Sequence, residues 1–551
     1  MKRATVLYIL LMASLISFGM LGTVTYGQKI IEPNAGYVNE IIKADVNAQG
    51  KQIDSVFIFR RGQSYYLNNM IENVGYSITL KAEDGTGALP KLLNTQDATG
   101  ALNRMFSAGD NAYIYNLFID GMGPNLSTGD PDPYYLMNGQ LLRANAAGKE
   151  LIIDGCILMN AGQVLIRSNA GARKVQVTNT ILANCGQLSA DNIGNGRILD
   201  MRNGVTDTVI FRNCTMINTY DRIIRHYGAA ANSTTAFVKY LECDHNTIVH
   251  NLGAYGYFFL GDVQYGAKIT NNLFYNPMTL GYEPVADPQR LAEVSLIGEK
   301  DSTTGTYLFP LIMDQPNTNS NPQFTITKNV ITYDSDVKKY FSTNKVAENP
   351  VVSLRIASMI GSSQVPATKA DITLKKIPNN MISIMNWYHA NAILTVGGGM
   401  ITDGKIDMDR RSRKFWSDTL DCSYTTSSQL FKGSDGKAIG SSMWKSTITG
   451  LEDTKLSSPK QYALSNNYPN PFNPTTKIDF SVASTSNVTL KVFNLLGQEV
   501  RTLIQGQMEP GTHSVNFNAS GIPSGIYIYT LNASASDGKM FSFSKKMTIL
   551  K

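Results

Sequence analysis

The sequence predicts an all-β chain in two parts: a right-handed parallel β-helix followed by a small C-terminal immunoglobulin-like β-sandwich. Three observations carry this reading. Asparagine-bracketed blocks recur at uneven intervals through residues 116–334, strands rich in β-branched residues and leucine fill them, and near residue 460 the composition shifts to a proline- and asparagine-rich stretch followed by short alternating strands. At 551 residues the chain exceeds what one compact core accommodates, so a repeat array with a separate domain is the expected solution.

At the N-terminus, Lys2 and Arg3 precede an apolar run from Val6 to Leu21, and Thr25-Tyr26-Gly27 stands before Gln28. This pattern fits a secretory signal peptide over 1–27 with small residues at the cleavage positions. No later stretch is long and apolar enough to span a bilayer. The five cysteines (Cys156, Cys185, Cys214, Cys243, Cys422) are an odd number, which suits buried small hydrophobes better than a disulfide framework.

The repeat emerges when asparagines are aligned at a spacing of five. Gly155-Cys-Ile-Leu-Met-Asn160, Asn179-Thr-Ile-Leu-Ala-Asn184, Asn213-Cys-Thr-Met-Ile-Asn218, Asn246-Thr-Ile-Val-His-Asn251 and Asn271-Asn-Leu-Phe-Tyr-Asn276 share one pattern, with looser copies at Asn116–Gly121 and Asn329–Asp334. Successive first positions lie 39, 24, 34, 33, 25 and 58 residues apart. Coils of one geometry with loops of variable length produce such spacing, as in a parallel β-helix. Amides at the same corner of successive turns can bond to each other and to the turn backbone. Residues 28–100 are assigned to an N-terminal cap and first strands, and 345–458 to further strands and the C-terminal closure. The β-helix domain is therefore expected over 28–458, a linker over 459–475 and the sandwich over 476–551.

In the C-terminal region, alternating strands such as Val488–Phe493 and Ile526–Leu531 are punctuated by Pro510-Gly511 and Pro523-Ser-Gly525, which predicts a small β-sandwich. Asn467–Ile478 (NYPNPFNPTTKI), Phe493–Val500 (FNLLGQEV), Gly511–Phe517, Pro523–Tyr529 and the terminal Lys545–Lys551 resemble the type A sorting domain of the type IX secretion system. The resemblance implies export across the outer membrane of a Gram-negative bacterium, the secretion machinery as a partner, and a secreted or surface-attached product.

In the body, Val56–Gly62, Gly75–Lys81 and Tyr424–Gly440 with Trp444 resemble uncharacterised pectate-lyase-like β-helix domains, sharing the pectin lyase-like fold, of secreted polysaccharide-related proteins. The net charge is +6, and the region from Lys460 onward carries eight basic against four acidic residues. With Lys2 and Arg3 also set aside, the body has no net charge. That argues against nucleic acid as its partner and requires any basic site there to be local.

Such a local site is suggested by Leu142-Arg143, Ile166-Arg167, Met201-Arg202 and Ile224-Arg225, which precede successive asparagine blocks. Strand alternation points each apolar residue inward and each arginine outward, giving a ladder at about 4.8 Å steps. Arginine binds carboxylate and sulfate in bidentate fashion. Arg143, Arg167, Arg202 and Tyr227 are thus candidate contacts for an acidic polysaccharide.

Asn213–Asn218 followed by Arg225-His226 and Gly228 also resembles the segment of chondroitinase B-like and alginate lyases that bears a catalytic arginine. By that resemblance, Arg225, with His226 and Arg202, would serve β-elimination. Such elimination needs the uronate carboxylate neutralised, usually by calcium, and a base at the C5 proton. The lyases carry an acidic pair and a lysine on the preceding turn, where this chain has Asp200, Met201 and Arg202. Asp200, Glu242 and Asp244 are the candidate calcium ligands.

A hydrolase would need two carboxylates across the bond, for which Asp200, Asp244 and Asp262 are available. An insertion between Pro277 and Phe324, with Tyr282, Glu283 and a short helix near 288–296, is expected to overhang these turns. The sequence therefore points to an exported, monomeric β-helix that binds acidic polysaccharide, with lyase activity as its catalytic possibility. A non-catalytic surface or adhesion protein is the alternative.

Overall fold

The computed structural model describes residues 27–122, 138–186, 196–226, 237–253, 256–280, 299–300, 305, 309–314, 321–379, 381–390, 420–449, 462–508, 511–535 and 540–550. Apart from Gly27, the expected signal peptide lies outside them, as do Tyr282, Glu283 and the helix expected near 288–296.

Two columns of left-handed residues set the turns of the coil. Asn116, Gly155, Asn179, Asn213, His245, Asn271 and Lys328 form the first, with φ between 50° and 66°. The second consists of Asn160, Asn184, Asn218, His250 and Asn276, with φ between 52° and 66°. Asparagine tolerates this region better than most residues, and histidine is also enriched there. At Gly155, an added Cβ would stand 2.3 Å from the Asn116 Oδ1, so a side chain there requires the Asn116 amide to move.

Amides link the corners from turn to turn. Asn213 Nδ2 donates to Asn179 Oδ1 at 2.6 Å, Asn184 Nδ2 to Asn160 Oδ1 at 3.2 Å, and Asn218 Nδ2 to Asn184 Oδ1 at 3.3 Å.

The asparagine alignment is one residue out at three places. His245 and His250 hold the corners expected of Asn246 and Asn251, and Lys328 holds that of Asn329. The displaced Asn246 and Asn329 belong to an inward column that also contains Cys156, Thr180, Cys214 and Asn272. There, Asn246 Nδ2 donates to Asn272 Oδ1 at 3.0 Å, and Asn272 Nδ2 to Asn329 Oδ1 at 2.9 Å. All five cysteines are buried, and none forms a disulfide among the described residues.

Between the corners, a ten-stranded parallel sheet runs in chain order from Gly27–Ile31 to Gln323–Thr327, and a seventeen-stranded sheet covers the remaining faces of the coil. The result is the expected right-handed parallel β-helix. Its interior is stacked in register: Leu142, Ile166, Leu199, Ile224, Phe258 and Ile312 are neighbours on successive turns, each 0% exposed. Each such side chain contributes roughly 1.5–3 kcal/mol by burial.

Helix Val38–Lys43 packs Val38 and Ile42 onto the first turns. After the last long strands comes helix Ser335–Asn344, and residues 345–458, expected to hold further strands and the closure, contain the short strands Ala367–Lys369, Thr425–Thr426 and Thr447–Ile448 together with helices Leu354–Ile360 and Ile382–Ala390. Asp334 and Ser353 cap the first two helices by accepting from Val337 N and Ile356 N. Their apolar residues Val337, Phe341, Ile356 and Ile360 join the core of the coil. An open coil end requires such a cover.

Residues 420–449 then run back along the first corner column as a strap. Ser434 N donates to Asn271 Oδ1 at 2.8 Å, Ser442 N to Asn213 Oδ1 at 2.7 Å, and Trp444 Nε1 to Thr215 Oγ1 at 2.7 Å. The strap leaves a polar cleft of about 310 Å³ lined by Arg212, Asp244, His245, Lys268, Asp435 and Lys437, among others.

The chain divides into two compact units after Ile448. The second is a β-sandwich of a three-stranded and a four-stranded antiparallel sheet. Ile478, Phe480, Val488, Leu490, Tyr529 and Leu531 alternate inward to make its core. Part of the expected linker belongs to it: Phe472 is 3% exposed within this core, because the tyrosine–proline stretch folds back along the sheets.

Two predictions follow from the corners and the strap. Asn213→Ala loses the ladder, the strap contact and a residue suited to positive φ, and should destabilise the body by roughly 2 kcal/mol. Asn213→Gly, which keeps the backbone freedom, should cost less in urea unfolding. His245 sits with Nδ1 3.2 Å from Asp244 Oδ2 and Nε2 3.3 Å from Asp435 Oδ1. Burial disfavours its charge, but the hydrogen bond to Asp244 and the fields of Asp244 and Asp435 outweigh it and raise the pKa above 6.5. The stabilisation is therefore complete below that value and is lost as pH rises through the folded pKa. Hydrogen exchange of residues 429–444 should accelerate over that window in the wild type and show no such step in His245→Asn.

Candidate functional site

Alternation places the residue after each inward apolar residue on the outer surface. Along one face of the seventeen-stranded sheet, the outward column runs Ser107, Arg143, Arg167, Asp200, Arg225, Phe259. Arg143, Arg167 and Arg225 occupy rungs as expected. The rung expected for Arg202 belongs to Asp200 instead, and Arg202 follows two residues later. A slip of two residues preserves the inward face, so Leu199-Asp200 and Met201-Arg202 are equivalent by pattern. The register then places a carboxylate among cations that would otherwise repel.

Asp200 is 0% exposed and receives three guanidiniums. Arg225 Nε lies 2.9 Å from Oδ1, Arg202 Nε 2.9 Å from Oδ2, and Arg167 Nη2 3.0 Å from Oδ2. Burial alone would raise the pKa of Asp200, but Arg225 first, then Arg197 and Arg202, hold it well below the carboxylate range. Burial and the neighbouring cations Arg202, Arg225 and Arg143 bring Arg167 down to about 10 against the pull of Asp200. Burial and then Arg104 lower Arg143. Arg104, which the dipeptide pattern missed because Asn103 precedes it, thus extends the cationic run.

Arg104 donates to the Met70 sulfur at 3.5 Å, and Arg143 donates to Gln140 Oε1 at 2.5 and 3.1 Å. Among the described residues, neither has a carboxylate partner. The buried Nε groups of Arg104 and Arg167 also lack hydrogen-bond partners. Arg197 is engaged by Asp221 at 2.9 Å, and Arg222, fully buried beside Asp221, lies 5.3 Å above the Phe259 ring.

The other candidates are differently disposed. His226 pairs in register with the inward Met201, is 0% exposed, and has neither ring nitrogen hydrogen-bonded. Burial pushes its pKa to about 4, with the field of Asp200 opposing, so it is neutral at physiological pH. Tyr227 lies outside the described residues.

The candidate calcium ligands do not converge. Asp200 belongs to the arginine column, whereas Glu242 and Asp244 lie on strand Val238–Asp244 of the other sheet. Glu242 accepts from Arg212 at 2.5 and 2.9 Å, and Asp244 from Thr270 Oγ1 at 2.5 Å and Asn271 Nδ2 at 2.8 Å. No group of His, Cys, Asp and Glu suited to a metal occurs among the described residues. The residues named for calcium therefore do not fit it. Asp262, proposed with Asp200 and Asp244 for hydrolysis, is 1% exposed.

Replacing Asp200 by alanine leaves buried guanidiniums without their counter-ion and should destabilise the body by roughly 3–5 kcal/mol. Because the folded pKa of Asp200 is depressed, its stabilisation is present above the ordinary value of 3.8 and is lost as pH falls toward the folded value. An acid titration of unfolding should show that loss in the wild type and a shallower dependence in Asp200→Asn.

Residues 466–546 match the family model described as a secretion system C-terminal sorting domain. No curated protein matches the chain. Among solved structures, CopC from Methylosinus trichosporium OB3b is similar at 16% identity over 16% of this chain and 93% of its own, with a TM-score of 0.13. The sorting domain identifies the chain as an exported or cell-surface protein handled by a secretion system.

Proposed function

We propose that the exported β-helix binds an acidic polysaccharide along the run Arg104, Arg143, Arg167 and Arg202. The observation that carries this reading is the pair Arg104 and Arg143, which have no acidic partner among the described residues and stand beside Arg167, Arg202 and Arg225, all three of which approach the carboxylate of Asp200. Guanidiniums held in one another's field favour anionic company, and their planar donors suit carboxylate and sulfate. The turn spacing of about 4.8 Å lets successive acid groups meet successive rungs.

Arg225 acts differently, as a positioning residue. It is 4% exposed and tied to Asp200, so it fixes the carboxylate that orients Arg167 and Arg202. β-Elimination would need a base at the sugar, and inward-facing His226 is poorly disposed for that role. Binding is therefore the reading preferred here, with lyase activity subordinate to it.

The test is calorimetric titration of the full chain with polygalacturonate, alginate and a neutral glucan. Polyuronate binding should weaken as ionic strength rises, and Arg143→Ala with Arg167→Ala should lower affinity roughly tenfold or more. Preference for neutral glucan, or unchanged polyuronate binding in the double variant, would overturn the reading. Absorbance of an unsaturated product, followed with and without calcium, reports whether elimination accompanies binding.

A further inference from the structure

In the second unit, strand Ser486–Phe493 turns into Glu499–Met508 through residues 494–498. The turn is tightly built. Asn494 Oδ1 accepts from Leu496 N and Gln498 N, both at 3.0 Å, Asn494 Nδ2 donates to Gln498 Oε1 at 2.8 Å, and Gly497 N donates to Asn494 O at 3.0 Å. Gly497 has φ 78°, which the turn requires.

This frame holds two adjacent leucines outward. Leu495 is 66% exposed and Leu496 84% exposed, and neither belongs to the sandwich core. Within Phe493–Val500, the residues therefore divide by role. Val500 packs against the core, and Asn494 and Gly497 build the turn. Leu495 and Leu496 do nothing for the fold. Large apolar side chains fixed in water by a rigid turn mark an interaction site more than a packing need.

We infer that the Leu495–Leu496 tip is the element of this sorting domain that docks into an apolar pocket on a protein of the secretion machinery. The inference rests on the sorting-domain assignment, whose family match spans the hairpin. Polar and charged groups rim the tip: Gln498 lies beside it, and Lys491 and Glu499 pair at 2.8 Å below it. That arrangement suits an apolar anchor entering a pocket with a polar lip. The adjoining strand Glu499–Met508 is the edge of its sheet, so its free backbone lies beside the anchor.

The test compares three genes in a bacterium with a type IX secretion system: the full-length wild type, the full-length Leu495→Ser with Leu496→Ser, and a deletion of residues 462–551. The double variant should keep the wild-type melting temperature but reach the medium or cell surface roughly tenfold less, as loss of an apolar anchor predicts. Leu496→Met should restore most of it. If the deletion blocks export while the double variant is exported normally, this inference fails and the sorting-domain assignment stands. If the deletion itself is exported normally, the assignment fails with it. Light scattering provides the remaining arm: a wild-type dimer that the double variant turns monomeric would make the occupant a second copy and overturn the inference.

Discussion

From Asn116 to Lys328 the coil depends on two columns of backbone corners in a conformation that L-residues seldom adopt. A left-handed residue at each corner fixes where a strand stops and the next begins, so the intervening strands stack without slipping. Asparagine serves because its short amide tolerates that conformation and hydrogen-bonds the same residue one turn away. The link between Asn179 and Asn213 and the series Asn160, Asn184, Asn218 are thus both local turn chemistry and the connection between turns. Where loops of very different length enter, the corners still restore the register. That is why Leu142, Ile166, Leu199 and Ile224 remain stacked despite uneven repeat lengths.

A fixed register has an electrostatic consequence. Outward residues one turn apart stand about 4.8 Å from each other, so Arg143 and Arg167 are held as close neighbours by the backbone. Their repulsion is relieved by Asp200 on the next rung and by its ties to Arg202 and Arg225. The relief does not reach Arg143 and Arg104, which have no carboxylate partner among the described residues and lie in each other's field. A site that is stable yet still short of negative charge is suited to an external anion. The same burial that makes Asp200 indispensable makes Arg225 inaccessible, so within the ladder the arginine tied most closely to Asp200 is the least able to act on substrate.

The sequence disclosed the repeat because corner chemistry is written in residue identity: asparagines five apart mark turns almost directly. It misled where other residues took the corner. His245, His250 and Lys328 adopt the left-handed conformation while the adjacent Asn246, Asn251 and Asn329 point elsewhere. Alternation revealed which residues face outward but could not distinguish Asp200 from Arg202, because both lie on the same face of one strand direction. The capping helices over residues 335–390 escaped because they are short and their apolar residues serve the end of a neighbouring coil. The sandwich was legible, but its boundary was not. Phe472 lies in a proline-rich stretch that composition assigns to a linker, whereas burial assigns it to the core.

Residues that a fold does not need are the ones that speak of function. The corner asparagines, the stacked interior and the capping helices are accounted for by the coil itself, so recurrence alone gives them no further role. The arginine run differs, since a β-helix could place neutral polar residues on those rungs and avoid the repulsion between Arg143 and Arg104, for which no carboxylate partner occurs among the described residues. The same reasoning separates Asn494 and Gly497, which the turn requires, from Leu495 and Leu496, which it merely presents. In both places the chain maintains an arrangement that is unfavourable in isolation, an excess of positive charge in one and apolar surface in the other. Each becomes favourable when the complementary surface arrives, a polyanion at the first and an apolar pocket at the second.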